Sequence, residues 1–395
     1  MGGGISGASI AYHLAQLGGR DVAVLEQGEP VSGTTSHAPG LVGQLRSEVS
    51  LTKMLMYSVS LYRTLRVDGL PGYFKVGSLR VASSSGRLEE IKRQAAFATS
   101  VGLEAHLLSP CETSDLFPLM SLDGVEGALY LPSDGSATAP ILAQAMLDAA
   151  RAGGVAFYPH TRVQAIEKGS GGRVQAVVTA NGRIETETLV VACGIWSPVV
   201  ARMAGIALPL VPMQHQYAVT AALPELTGRT MPNLRDPDKL VYLRQRDAGL
   251  VIGGYERDPR PFTAAIPDRP DPTVQPFDAA HFEPLRSAAA ERVPCIGGAE
   301  LTQQVNGLES FTPDGEFLLG PSTQVHGLWF ACGFCAHGVS SAGGVGRVLA
   351  EWIVAGQPNI DFTHMAPDRF GSQAADSGYV EQAARRVYST YYDLR

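Results

Sequence analysis

The sequence predicts a mixed fold, α/β in its parts and α+β overall. Three observations carry that prediction. Gly2, Gly4 and Gly7 stand just ahead of an amphipathic run, which leads into a short apolar stretch ending on Glu26. Helical periods then recur at about 87–101, 140–152, 278–291 and 343–355, and strand-like runs near 127–131, 173–179, 188–193, 239–244, 249–254 and 327–332. Finally, 395 residues with 45% apolar and 17% charged side chains supply core for two to three units.

The opening segment predicts a Rossmann-like dinucleotide turn. Gly2, Gly4 and Gly7 have the G-x-G-x-x-G spacing: a tight turn, a close approach of phosphate to backbone, and a close helix contact. The helix that follows carries Ile10, Leu14 and Leu17 on one face and stops at Gly18-Gly19. Its N-terminus offers N–H groups and a partial positive charge to phosphate. Glu26, at the end of the next strand, suits a ribose hydroxyl pair and disfavours a 2′-phosphate. Such a fold needs an apolar strand before the first glycine, and only Met1 stands there, so a shortened start with the first strand missing is expected.

Composition excludes several classes. Thirty-one basic against 38 acidic residues give a net charge of −7. The basic residues are spread along the chain, which speaks against a nucleic-acid surface. No apolar run approaches the roughly 18 residues of a membrane span. Five cysteines do not make a disulfide framework, and point to a reducing compartment. The nine histidines lack metal-ligand spacing, so no metal site is expected. Cys332 and Cys335 form a lone C-x-x-C, read as two small buried residues.

Three later stretches carry a family resemblance: Ser32-Gly-Thr-Thr-Ser-His37-Ala-Pro-Gly, Leu189-Val-Val-Ala-Cys-Gly194-Ile-Trp196, and Ser310-Phe-Thr-Pro-Asp314-Gly leading to Gly333-Phe-Cys-Ala-His337-Gly338 and Gly343-Gly-Val-Gly. Met231-Pro-Asn-Leu-Arg-Asp, Val241-Tyr-Leu-Arg and Gly253-Gly-Tyr-Glu fall in the same order. The chain resembles the sarcosine dehydrogenase and dimethylglycine dehydrogenase or oxidase family, within the D-amino-acid-oxidase superfamily. The resemblance implies FAD, held by Gly2, Gly4, Gly7, Glu26, Gly194, Trp196, Gly333, Gly338 and Gly343, and attached covalently through His37. It implies an FAD-binding domain of 1–50, 130–200 and 305–365, and a substrate domain of 51–129 and 201–304. The stretch 366–395 is then an extension toward an absent folate-binding domain, the only route by which tetrahydrofolate would take part.

By the same resemblance His215 and Tyr242 face the substrate. Only a neutral amine gives up a hydride readily, so a histidine that accepts the ammonium proton and a tyrosine that relays it have a clear use. Arg46 could fork onto a substrate carboxylate, although a solvated loop arginine fits equally well. His337 should border the flavin pyrimidine and shape the substrate pocket. The implied reaction is oxidative N-demethylation of sarcosine or dimethylglycine to an iminium and then formaldehyde, with oxygen or an electron-transfer flavoprotein as acceptor. The rival readings are oxidation of another secondary amine, such as 4-methylaminobutanoate or a proline derivative, and a catalytically silent regulatory homologue. The compartment expected is the bacterial cytoplasm, or the mitochondrial matrix in a eukaryote.

Overall fold

The computed structural model describes residues 1–395 except Arg20, 264–265, 267–273, Asn359 and Arg395. The first helix, Ile5–Gln16, starts directly at the glycine turn. A Cβ on Gly7 would stand 2.0 Å from the Gly2 carbonyl oxygen, so the absence of a side chain is what allows the helix to begin there. Two strips of sheet flank this turn. In one, Ala23–Leu25 runs parallel to Ala156–Tyr158; in the other, Leu189–Val191 runs parallel to Leu328–Cys332, which pairs antiparallel with Leu318–Pro321. Among the described residues no strand joins the strips. Met1 and Gly2 bridge them by backbone hydrogen bonds: the Met1 amino group donates to the Val190 carbonyl (2.7 Å), and Gly2 N–H donates to the Leu25 carbonyl (2.9 Å).

The larger sheet has nine strands in the order Val274–Gln275, Leu301–Phe311, Val211–Thr220, Gly249–Gly254, Val241–Arg246, Asn233–Asp236, Ser78–Ala82, Gly127–Leu131 and His106–Leu108. It is antiparallel at every junction except that between Asn233–Asp236 and Ser78–Ala82. Successive side chains point to opposite faces, and the register turns this into two layers. Ala218, Ile252, Leu243 and Leu234 stand opposite one another and pack on Phe282 and Leu285 of the helix Ala279–Arg292. The adjacent row, Tyr217, Gly253, Tyr242 and Arg235, therefore faces the other way. Gly253 is required in that row, because a Cβ there would meet the Tyr242 hydroxyl at 2.2 Å. A buried ion pair, Arg292 Nε to Asp236 Oδ2 at 2.7 Å, ties the covering helix to the strand that bears Arg235.

The expected elements are present with small shifts: helices at Ser85–Ser100, Ala139–Ala152, Ala279–Arg292 and Gly338–Ala355, and all six strand runs. Sequence periodicity missed the helix Val49–Tyr62 and the two longest strands, Val211–Thr220 and Leu301–Phe311. Both strands carry polar residues on both faces, because one face lines a cleft rather than a core. The last helix, Ser377–Ser389, is capped by Asp376 and seats Tyr388 and its neighbours in an apolar cluster with Met213, Tyr217 and Phe311. Among the described residues no helix is long and apolar enough to cross a membrane.

Candidate active site

One long cleft, of about 1840 Å³, runs from the glycine turn to the polar face of the nine-stranded sheet. Its first end is walled mainly by backbone. Gly2, Gly4, Ile5 and Ser6 line it, together with Glu26, the loop 33–35, Gly194 and Trp196. The first turn of the helix carries no acid of its own. Gly2 has φ +98°, and a Cβ on it would meet the Ala192 carbonyl oxygen at 2.3 Å. The Glu26 carboxylate accepts from Gly3 N–H (2.6 Å) and Gly28 N–H (2.8 Å), which fixes it at the strand end. The Thr35 hydroxyl accepts from Ile5 N–H at 3.1 Å, tying the loop of His37 to the helix start. A cradle emptied of side chains, at a helix N-terminus beside a fixed acid, fits an adenine dinucleotide such as FAD.

The opposite end is walled by side chains. His215, Arg235, Tyr242, Tyr255, Glu309 and Tyr391 line it, with Arg46 and His337 at the junction of the two ends. His215 is buried between hydroxyls, Nε2 lying 2.9 Å from Tyr242 and Nδ1 2.8 Å from Tyr388. Burial pulls its pKa down to about 4, with His37 adding to the effect, so the ring is neutral at pH 7. That corrects the expectation of a histidine near its ordinary pKa: alone, His215 does not retain a proton at neutrality. Arg46 is bonded to the Leu45 carbonyl (2.6 Å) and Ser340 hydroxyl (3.4 Å), and its Nε has no partner. It is therefore enclosed rather than solvated, and burial lowers its pKa to about 10.

Two charged residues that sequence reasoning passed over complete this end. Arg235 lines it, and Tyr392, Tyr391, Tyr255 and Asp134 around its guanidinium raise its pKa against the effect of burial. Glu309 leaves Oε2 buried and unpartnered, and burial raises its pKa to about 7. Arg235 and Arg46 converge beside the buried Asp134: a Cβ on Gly43 would lie 3.4 Å from the Asp134 carboxylate, 3.7 Å from Arg235 and 3.9 Å from Arg46. The available signal for Arg235 was its place in Met231-Pro-Asn-Leu-Arg-Asp, which carries the resemblance; Glu309 stands one residue ahead of the stretch that opens at Ser310.

Other expected residues fall elsewhere. Gly7, His37, Gly333 and Gly343 do not line the cleft. The His37 ring packs on the backbone of Gly307, near the Leu308 carbonyl. Gly343 belongs to helix packing, since a Cβ there would meet Ser58 Cα at 2.8 Å. Gly333 makes a turn at φ +67°. Beside it Cys335 and Ala336, at φ +45° and +67°, hold left-handed conformations that L-residues rarely adopt, and so turn the chain into the cleft ahead of Gly338. Cys332 and Cys335 are buried free thiols, both pushed up to about 12 by burial, as inert cysteines are.

The sequence model of a family described as FAD dependent oxidoreductase matches residues 1–352. The chain is 35% identical to mitochondrial sarcosine dehydrogenase of Mus musculus, over all of this chain and 43% of the relative. It is 34% identical to mitochondrial dimethylglycine dehydrogenase of Rattus norvegicus, over 98% of this chain and 46% of the relative. It thus spans less than half the length of these relatives. Its fold is that of the L-proline dehydrogenase from P. horikoshii, with a TM-score of 0.84 at 24% identity, covering 93% of this chain and 96% of the other.

Proposed function

The chain belongs to the FAD-dependent oxidoreductase family, and from that premise we propose that it oxidises a small N-methylated amino acid, with sarcosine and dimethylglycine as leading substrates. One observation carries the reading. The far end of the cleft holds two convergent arginines, Arg46 and Arg235, together with one unpartnered carboxylate, Glu309, and the His215–Tyr242 pair. Two guanidinium groups beside the one carboxylate of Asp134 leave positive charge unmet, and a charge out of water is costly until an opposite charge meets it. A ligand with a carboxylate at one end and a basic nitrogen at the other satisfies both signs.

The residue roles follow. Gly2 and Gly4 receive the pyrophosphate, Glu26 the ribose, and Gly194, Trp196 and Gly338 the remainder of the FAD; Gly7, Gly333 and Gly343 act through the turn and helix packing that shape its site. When bound, FAD supplies the two-electron acceptor for the substrate's C–H bond. Arg46 and Arg235 hold the carboxylate in charge-assisted bonds. Glu309 orients the nitrogen, Tyr242 takes its proton, and His337 bounds the space available to the N-substituent. The iminium product then adds water and releases formaldehyde. His37 carries the flavin covalently once its ring turns from Gly307 toward the cleft; His37→Ala should make all flavin extractable by acid, whereas the parent keeps colour on the precipitate. Oxygen or an electron-transfer flavoprotein takes the electrons, and tetrahydrofolate would enter only with a further domain. The compartment proposed is the bacterial cytoplasm or the mitochondrial matrix.

Anaerobic reduction of the bound flavin by sarcosine, dimethylglycine, 4-methylaminobutanoate and proline, with a formaldehyde assay, tests this reading. Fast bleaching by the first two with formaldehyde release is the expected result. Bleaching by proline without formaldehyde would replace the substrate class, and the absence of bound flavin would favour a silent homologue.

A further inference from the structure

The Tyr242–His215 pair does not end at His215. The His215 Nδ1 lies 2.8 Å from the Tyr388 hydroxyl, and that hydroxyl donates to Glu256 Oε2 at 2.7 Å. His281 Nε2 stands 3.9 Å from the other Glu256 oxygen and keeps 14% of its side chain exposed. The four inner members are buried: His215 is 3% exposed, Tyr242 4%, Tyr388 0% and Glu256 8%. A hydrogen-bonded file therefore leads from the cleft to Glu256, with a partly exposed histidine beside it. Its middle link, Tyr388, comes from the last helix, beyond the residues 1–352 that the family model matches.

The directions of the bonds agree along the whole file. Tyr388 has one proton and gives it to Glu256, so it accepts from His215 Nδ1–H. A neutral imidazole has a single N–H, which leaves Nε2 as an acceptor and makes Tyr242 the donor to it. The remaining lone pair of Tyr242 is then open to the cleft, where a substrate ammonium would sit.

We infer that this file carries the ammonium proton out of the cleft, with Glu256 as its acceptor and Tyr388 as the positioning residue that connects it. The inference rests on the proposed amine oxidation. In the step, the substrate N–H proton passes to the Tyr242 oxygen and the Tyr242 proton passes to His215 Nε2. The Nδ1 proton passes to Tyr388, and the Tyr388 proton passes to Glu256. One positive charge leaves the substrate, one negative charge is neutralised at Glu256, and every bond in the file reverses direction.

The electrostatics of the surroundings suit this. His215 is faced by Tyr242, Tyr255, Tyr388 and His37, none of which offers it a counter-charge at neutrality. Glu256 is faced by Tyr388, His281 and Arg260, and burial raises its pKa to about 7 although the Tyr388 bond and Arg260 pull it down. Tyr388 also feels Glu309 and Tyr242. The acid is thus ionised and able to accept above about pH 7, and already filled below it.

The test uses the full-length, flavin-loaded protein. In 15N-histidine NMR, with His215 assigned through His215→Asn, the ring should be the Nδ1–H tautomer at pH 8 and its signals should shift as pH falls through about 7. Glu256→Gln should abolish that pH dependence. In anaerobic reduction by sarcosine the parent should show a rising limb near pH 7. Glu256→Gln and Tyr388→Phe should both lose it and run roughly a hundredfold slower at pH 7.5, at the low end of proton-transfer contributions. An Nε2–H tautomer at pH 8, or a parent-like limb in Glu256→Gln, overturns the inference. If no amine reduces the flavin, the functional reading fails, and the tautomer measurement still decides the file.

Discussion

The two ends of the cleft are built on opposite principles. At the dinucleotide end the wall is backbone, contributed largely by residues 2–7, 26 and 33–35, and the decisive feature is where side chains are missing. At the amine end the wall is side chains from Arg46, His215, Arg235, Tyr242, Glu309 and Tyr391, drawn from distant parts of the chain. The first end recognises a ligand by shape and N–H dipoles, the second by charges that the protein meets only in part. The first end should thus fail sterically and completely, the second chemically and in degrees.

The sharpest test of the steric end is Gly7→Ala. Its Cβ would stand 2.0 Å from the Gly2 carbonyl oxygen, a rigid backbone atom. The helix start must move away from the turn, and the phosphate cradle moves with it. Purified Gly7→Ala should carry less than a tenth of the parent's flavin by absorbance near 450 nm. Parent-like occupancy would mean that the cradle adapts, and the two ends would not differ in kind.

Arg235→Met tests the charged end. The loss of one charge-assisted carboxylate contact is worth roughly 1.5–3 kcal/mol, or about 10- to 150-fold. Reduction by sarcosine at low substrate should fall by about 100-fold, while flavin content and reduction by an N-methylalkylamine without a carboxylate stay near the parent's. An equal fall for both amines would show that Arg235 supports the sheet rather than the carboxylate.

The same contrast explains what could be read beforehand. The dinucleotide turn was legible because its determinants lie within 26 residues and obey one spacing. The Cys332–Cys335 reading also held, since both thiols are buried and raised. Arg235 and Glu309 were not legible, because nothing local says which face of a strand a charge will take. That follows from the register that sets Arg235 beside Tyr242 and Met213 beside Glu309. Tyr388 was hidden for the same reason: it meets His215 across 173 residues of chain. Gly343 was assigned to the cofactor because a glycine cluster looks the same whether it admits a ligand or a helix.

Glu309 supplies a smaller effect, measurable as stability. Its folded pKa, about 7, lies above the ordinary carboxylate value because burial disfavours the charge. Below about pH 4.5 both states hold the proton and nothing is lost. As pH rises toward 7 the unfolded chain releases its proton while the folded chain retains it, so stability falls, then levels above 7. His215, with its pKa lowered to about 4, works in the opposite sense below pH 6.5, so the parent-to-variant difference is the clean quantity. Glu309→Gln should reduce the loss of stability between pH 5 and pH 8, read from urea midpoints, by on the order of 2 kcal/mol. An unchanged difference would mean that Glu309 is ionised in the folded protein and that its charge is met by a group of the protein itself.

The smallest effect is expected at His337, which stands where the two ends meet. It precedes the helix Gly338–Ala355, follows the two left-handed residues Cys335 and Ala336, and lines the cleft between Phe317 and Tyr391. Its ring nitrogens are 3.4 and 3.5 Å from the Tyr391 hydroxyl, at the long limit of hydrogen bonding, so little enthalpy depends on that contact. What the ring does is occupy space at the mouth of the amine end. His337→Ala should lower the rate with sarcosine by less than about fivefold, under 1 kcal/mol, and favour glycines with a larger N-substituent, by the modest ratios that one or two methylenes command. Because the ring is not asked to hold a charge, its loss should leave the pH profile of reduction in place. A loss approaching that of Arg235→Met, or a displaced pH limb, would put His337 among the charged groups, and the boundary between the steric and chemical ends would then lie on the dinucleotide side of this residue.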